Sequence, residues 1–302
     1  MRKKIRFIIN PISGVGQKNI LPELIDRCLD SNIFQHDIVL TDYPKHAKEI
    51  AIESAEAGYD IVCAVGGDGS VHEVGTALIG TKTKLAIIPV GSGNGLARHL
   101  KIPLEIEQAI ATINQQKTLV MDTGLVNDKP FLGVGGYGFD ALIAKKFDEQ
   151  DTRGFWTYAK LVLKEYFLYK PTSITIEVNN QKIDQEFILC TIANASEFGN
   201  GFCISPNSDV TDGIFELCLL KPFPKTYTPF IIRQFFKRSI HQSPYMDIIP
   251  IKKARITSVE HLAHYDGEPF EVRTELNVEV KAKSLEVIVG ETFKRTKKGY
   301  HC

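Results

Sequence analysis

Apolar and polar positions alternate in two different ways along the chain. In the first third, short apolar runs are followed by segments of helical spacing. "IRFIIN" (Ile5 to Asn10) reads as a strand closed by Pro11 and Gly14, and "NILPELIDRCLD" as a helix. "HDIVLTD" predicts the second strand, and "AKEIAIESAEAG" a helix ended by Gly58. "DIVCAV" and "VHEVGTALIG" repeat the pair, as do "KLAIIPV" and "GLARHL". Continuous apolar strands alternating with helices predict a parallel sheet covered on both faces. Ligands in such sheets bind beyond the carboxyl ends of the strands.

From about Leu119 strands dominate: "KPFLGVGG", "SITIEVNN", "FILCTIAN", "GIFELCLLKP", "KKARITSV" and "FEVRTELNVEVKAKSLEVIVG". Asn179–Asn180 gives a hairpin signal between two of them. The pattern predicts an antiparallel β domain, a sandwich or a partly open barrel. Two helices interrupt it, "GFWTYAKLVLKEYFLY" and "YTPFIIRQFFKRSIHQ". The second mixes a Phe/Ile face with Arg233, Lys237 and Arg238. Both suit packing on the β domain as ordinary amphipathic helices, and their mixed apolar and basic faces also suit an anionic surface.

Three predicted strands end in loops of glycine and small polar residues: "NPISGVGQ", "GGDGS" and "PVGSGNG". Such loops let backbone N–H groups approach a phosphate, and the following helix adds its positive end. Asp68 is the one charge in "GGDGS". It has three candidate duties: holding Mg²⁺ beside nucleotide phosphates, taking a proton from a substrate hydroxyl, or capping the helix predicted from Val71. The Walker pattern G-x-x-x-x-G-K-[ST] is absent. "GVGGYG", with Gly133, Gly135 and Gly138, has dinucleotide-loop spacing but lies in the β-rich half. There its glycines predict close backbone approach to a ligand or a neighbouring strand. His261 and His264 read as structural histidines.

The 302 residues suffice for about two domains. A formal net charge of +0 argues against nucleic acid as partner. The basic ends "MRKKIR" and "FKRTKKGYH" suit one basic surface or solvated termini. None of the six cysteines forms a C-x-x-C pair, which predicts reduced thiols. "MRKKIRFIINP" has too short an apolar run for a signal peptide, and no run is long enough for a membrane span. The expected location is cytoplasmic, in peripheral contact with the anionic inner membrane surface. Oligomeric state stays open.

At "GGDGSVHEV" and "PVGSGNGLARHL" the chain resembles the diacylglycerol kinase and sphingosine kinase superfamily, of bacterial type. "NPISG", "TDYPKHA" with Thr41 and His46, "GGDGS" with Glu73, and "GSGN" match the family's four nucleotide loops in order. "GFDA" and "DGEP" match segments of its lipid half. The resemblance implies an N-terminal α/β domain of NAD-kinase and phosphofructokinase type, residues 1–120 rejoined by 288–302. It implies a C-terminal β-sandwich lipid domain over 121–287. It also implies ATP and Mg²⁺ as cofactors and phosphorylation of a lipid hydroxyl on diacylglycerol, a sphingoid base or ceramide.

Carried over, Asn10, Ser13, Gly14, Thr41, Gly66, Gly67, Gly69, Ser70, Glu73, Ser92, Gly93 and Asn94 line the nucleotide site. Asp68 or Glu268 takes the base role, with Asp266 beside it in the acidic signature. Asp140 holds a polar lipid head group. Asp212, with Asp209 and the Ile214 carbonyl, holds a structural or catalytic Mg²⁺. Lys18, Lys145, Lys146 and Arg153 are candidates for neutralising phosphate charge. Ser70 stands where the family often has Thr and keeps the hydroxyl. "GSGN" in place of "GTxN" leans toward the sphingosine and ceramide branch. The rival functions are a soluble-substrate kinase of the NAD kinase or phosphofructokinase type, and a lipid- or nucleotide-binding protein without turnover.

Overall fold

The computed structural model describes residues 2–11, 20–149 and 155–295. The chain divides into two compact units. One comprises Met1–Asp122 with Ala282–Arg295, and the other Thr123–Lys281.

The first unit runs β1 (Lys3–Ile9), α1 (Leu21–Cys28), β2 (Phe34–Leu40), α2 (His46–Glu56), β3 (Ile61–Gly66), α3 (Asp68–Ala77), β4 (Lys84–Pro89), α4 (Gly95–His99) and α5 (Ile106–Gln115). Its strands are parallel in the order β2-β1-β3-β4. Every residue of β3 is buried, which explains its unbroken apolar sequence: helices cover both faces. α2 packs with α3, and α1 with α5. The chain leaves β1 toward β2 on one side and reaches β3 on the other, so the order reverses between β1 and β3. Doubly wound sheets open a ligand crevice at such a point. The helical spacing over "AKEIAIESAEAG" is borne out, and Gly58 follows α2 at φ 73°, a left-handed position natural for glycine. α5 was not anticipated, although its buried face (Ile106, Ala109, Ile110, Ile113) has regular helical spacing.

β5 (Thr118–Val126) begins in the first unit and ends in the second. There follow β6 (Lys129–Phe131), β7 (Val134–Gly138), α6 (Phe139–Asp148), α7 (Phe155–Leu168), β8 (Thr172–Val178), β9 (Gln181–Phe187), β10 (Leu189–Ala193), β11 (Glu197–Gly199), β12 (Phe202–Cys203), β13 (Phe215–Leu220), α8 (Thr228–Phe236), β14 (Met246–Ile251), β15 (Lys253–Ser258), β16 (Leu262–Tyr265), β17 (Glu268–Glu271) and β18 (Leu276–Ile288). The start of β18 pairs with β15 in the second unit. Its end pairs in parallel with β4 in the first, Val287 beside Leu85.

The second unit is a sandwich. Antiparallel β9, β8, β15 and the start of β18 form one layer, and β14-β13-β10-β7-β16-β17 the other. Phe131, Tyr137, Ile176, Phe187, Phe215 and Leu276 belong to the core of this unit. β8 alternates strictly, with Ile174, Ile176 and Val178 buried and Ser173 and Glu177 exposed. The expected hairpin follows: Asn179 and Asn180 both have positive φ, 49° and 61°, the pattern of a tight two-residue turn. A second apolar cluster joins Val134, Ala193, Cys218 and Leu220 to Phe139, Ile143, Leu161, Ile231 and Phe235 of α6, α7 and α8. Among the described residues three α-helices therefore interrupt the strands where two were expected. α6 gives no separate sequence signal because it starts directly from β7 without a polar break.

β7 carries the "GVGGYG" segment as a strand between β10 and β16. Gly136 has φ 153°, and a Cβ there would lie 2.2 Å from the Cys190 carbonyl oxygen. These glycines admit neighbouring strands, so the dinucleotide spacing is coincidental.

Candidate active site

Four loops leave the C-terminal ends of β1, β2, β3 and β4, and direct bonds tie them together. Asn10 donates from its backbone N–H to the Val65 carbonyl at 3.2 Å and from Nδ2 to Ser70 Oγ at 3.5 Å. Thr41 is buried and its N–H reaches the Ile9 carbonyl at 3.0 Å. Glu73, on α3, accepts the Lys45 N–H at 3.2 Å. The His46 ring stacks on Tyr43 and accepts the Asp42 N–H at 3.1 Å. Val90 N–H bonds the Gly66 carbonyl at 3.0 Å.

Asp68 is the first residue of α3, so the helix begins three residues before the expected Val71. Its carboxylate instead serves the next loop. Oδ1 accepts the Gly95 N–H at 2.7 Å and Oδ2 the Asn94 N–H at 2.8 Å, at the start of α4. Two donors on one half-buried carboxylate fix its orientation and satisfy amides that α4 leaves open. Asn94 sits at φ 55°, with Oδ1 accepting the Gly91 N–H and Nδ2 donating to the Gly91 carbonyl at 2.7 Å. Gly69 and Ser92 remain exposed at this rim. The lining is rich in amides and poor in side chains, which fits a polyphosphate. Ser13, Gly14 and Lys18 lie outside the described residues.

In the second unit, Asp266 and Gly267 form the two-residue turn between β16 and β17, at φ 48° and 88°. The Asp266 carboxylate accepts the amides of Leu132 at 2.8 Å, Gly133 at 2.7 Å and Val134 at 3.2 Å. It thereby anchors the loop before β7. Glu268 opens β17 and is exposed.

Asp140, in the first turn of α6, is buried at its side chain. Its Oδ2 accepts Thr191 Oγ1 at 2.6 Å and lies 3.2 Å from His264 Nε2; its Oδ1 accepts the Ala141 N–H at 2.9 Å. The His264 ring is 97% buried, counting 3% side-chain exposure, and neither nitrogen has a well-aligned hydrogen bond among the described residues. Strand register explains the grouping. Thr191 on β10 and His264 on β16 both pair with Gly136 of β7, so all three lie in one row on one face. Gly136 has no side chain, and Asp140 joins that row from α6. Burial pushes the nearby Cys190 thiol well up, and the Asp140 charge adds to it.

Asp209 is buried, with Oδ1 accepting the Thr211 N–H and hydroxyl at 2.9 and 2.7 Å. Asp212 is exposed, with Oδ1 accepting the Ile214 N–H at 3.0 Å. These hard oxygens are of the type Mg²⁺ prefers. Among the described residues no group of three or more His, Cys, Asp or Glu stands at metal-binding separation. Lys146 is paired with Glu165 at 2.6 Å, Lys145 is exposed, and Arg153 is outside the described residues. A cavity of about 460 Å³ is lined by Leu142, Lys145, Glu165, Leu168, Tyr169 and His261 among others.

Residues 4–126 match the diacylglycerol kinase catalytic domain. Residues 133–289 match the YegS C-terminal NAD kinase β-sandwich-like domain. The chain belongs to the diacylglycerol kinase and YegS-like lipid kinase family.

An uncharacterized protein of Synechocystis is 28% identical over 281 residues, covering 89% of this chain and 62% of that protein. The chain thus spans less than two thirds of that relative. A diacylglycerol kinase of Bacillus subtilis is 28% identical over 228 residues, 72% of this chain and 74% of the relative. The crystal structure of a diacylglycerol kinase from Bacillus anthracis matches at a TM-score of 0.73 and 20% identity, over 96% of this chain and 97% of that one. That likeness concerns the fold: the α/β domain and β sandwich expected from the sequence are both present.

Some polar contacts in this chain have no sequence signal. His264 and Thr191 join Asp140 only through strand register. Arg98, inside "GLARHL", braces the fourth loop by donating from Nε to the Gly93 carbonyl at 3.0 Å. None of the five described cysteines forms a disulfide.

Proposed function

We propose that the chain is an ATP-dependent lipid kinase that phosphorylates the hydroxyl of diacylglycerol or of a sphingoid or ceramide lipid. The observation that carries this reading is Asp68, held by two main-chain amides where four strand-end loops are tied together. Phosphoryl transfer needs positioning and charge stabilisation more than covalent chemistry, and an amide-lined rim supplies both. Asn10, Thr41, Gly66, Gly67, Gly69, Ser70, Glu73, Ser92, Gly93 and Asn94 would hold the nucleotide, with Ser13 and Gly14. When bound, Mg²⁺ neutralises charge on the β- and γ-phosphates. Asp68 would orient it through water, and Asp209, Asp212 and the Ile214 carbonyl would hold a second, structural ion.

The lipid hydroxyl oxygen attacks the γ-phosphorus, its proton passes to a carboxylate, and the bond to the bridging oxygen of ADP breaks. Two amides on Asp68 support a positioning duty for it and leave the base role to the exposed Glu268. Asp266 sets the loop at Leu132–Val134. Asp140, with Thr191 and His264, would hold the polar part of the lipid head. Labelled ATP, Mg²⁺ and the purified chain, offered diacylglycerol, sphingosine, ceramide and NAD, test the proposal. Label should enter one lipid and not NAD. Label in NAD alone would assign the soluble-substrate class.

A further inference from the structure

We infer that the junction of α7 and α8 is the surface on which this chain rests against an anionic lipid bilayer. The inference deepens the proposed function, because an acceptor lipid lies in a bilayer.

The two helices meet at their ends. Lys225 Nζ donates to the Phe167 carbonyl at 2.8 Å, Thr228 Oγ1 bonds the Tyr166 hydroxyl at 3.3 Å, and Tyr166 stacks against Phe223. These contacts fix the end of α7 beside the start of α8. Large apolar side chains stay in solvent there: Leu168 is 70% exposed, and Leu163, Phe167, Tyr227 and Phe230 are about half exposed. A shallow groove of about 360 Å³ lies at Thr226, Tyr227 and Phe230. Leu168 also lines the larger cavity, so the apolar patch borders an opening into the unit. Clustered exposed apolar side chains of this size mark an interaction surface.

Charge decides the partner. From Lys221 to Met246 the sequence contains no Asp or Glu. Within α7 the one acid, Glu165, is buried and paired with Lys146. Lys164, Lys170, Lys225, Arg233 and Lys237 are exposed around the apolar side chains. The fold removes two other cations from the surface's account: Arg238 bonds Glu197, and Lys221 pairs with Asp247 at 2.6 Å. Glu260 and Glu271 line the cavity beside Leu168 and Lys170, so the acids stand on that side, while the α8 side carries cations alone. Aromatic side chains that dip below a head-group layer, edged by cations in excess, complement an anionic bilayer. A protein partner would need acids in fixed register, whereas a fluid anionic layer supplies them anywhere. No helix among the described residues is long and apolar enough to cross a membrane, so the surface rests on the bilayer.

The test is co-sedimentation of the full chain with vesicles of phosphatidylcholine alone or mixed with phosphatidylglycerol, without ATP, in low and high salt. Binding needs no turnover, so its failure leaves the kinase reading standing, and an inactive chain can still bind. Mixed vesicles should capture the chain, salt should weaken capture, and phosphatidylcholine alone should capture little. Lys225→Glu, Arg233→Glu and Lys237→Glu together should weaken partitioning on the order of 100-fold. Phe167→Ser with Phe230→Ser should weaken it roughly tenfold or more. All five sites are exposed, and unchanged thermal melting would confirm folding. Equal capture by both vesicles, or unaltered capture of the folded variants, would overturn the inference. So would dimerisation lost with the Phe changes and no vesicle capture, which would assign the patch to a second copy of the chain.

Discussion

Gly67 and Gly91 face each other so closely that a Cβ on Gly91 would stand 2.4 Å from the Gly67 Cα. The loops after β3 and β4 thus touch backbone to backbone, and the obstacle to a side chain is main chain that cannot rotate away. Gly91→Ala should destabilise the fold by about 1–3 kcal/mol through overpacking. Urea denaturation should show the loss, and ATP affinity should fall with it. Full stability in the variant would mean that the loops separate freely.

Asp68→Asn keeps the shape but turns one acceptor into an NH₂ facing an N–H donor. One of the two amides at Asn94 and Gly95 loses its partner, which costs about 1–3 kcal/mol. Turnover should fall as the loop loosens, by less than the roughly 10²–10⁴-fold that loss of a general base costs. Glu268→Gln should lower kcat with little change in melting, since Glu268 is exposed. Parallel assays of the two variants separate a positioning acid from a base.

Thr191→Val removes the 2.6 Å hydrogen bond to buried Asp140 while keeping the side chain's shape. The expected loss is about 1.5–3 kcal/mol, as for a hydrogen bond to a charged group. If Asp140 holds the lipid head, KM for lipid should rise while KM for ATP stays level. A rise in both would make the contact purely structural.

Glu286 reports on the closure of the first unit by β18. Burial alone would raise its carboxyl. Hydrogen bonds from Lys84 and Thr118, with the charges of Lys84 and Lys3, hold it below its ordinary value of 4.5. A depressed folded value contributes stability that is complete above the ordinary carboxylate range and drains away as pH falls through the folded value. The chain should therefore lose stability on acidification below about pH 4.5, and Glu286→Gln should flatten that slope. The pair is partly exposed, so its worth at neutral pH is about 0.5 kcal/mol after screening. Melting followed from neutral to acid pH would check both statements.

The linear sequence by itself determined the elements whose environment is local. β3 reads as buried because all six of its residues are apolar or glycine, and β8 as half-buried because it alternates. Asn179–Asn180 reads as a turn because asparagine tolerates positive φ. The strand-end loops were legible for the same reason: glycine next to small polar residues is a backbone requirement written in residue type.

Tertiary structure alone decided which loop Asp68 serves. A helix cap uses the nearest amides in space, and here these come from Asn94 and Gly95, far along the chain. It alone decided that "GVGGYG" is a central strand, because the contact that forbids a side chain at Gly136 is with Cys190. It alone brought Thr191, Asp140 and His264 together, since cross-strand register is set by pairing and leaves no periodic mark in the sequence. Residue type encodes what a position needs from its surroundings, and only the folded chain supplies the neighbour that meets the need.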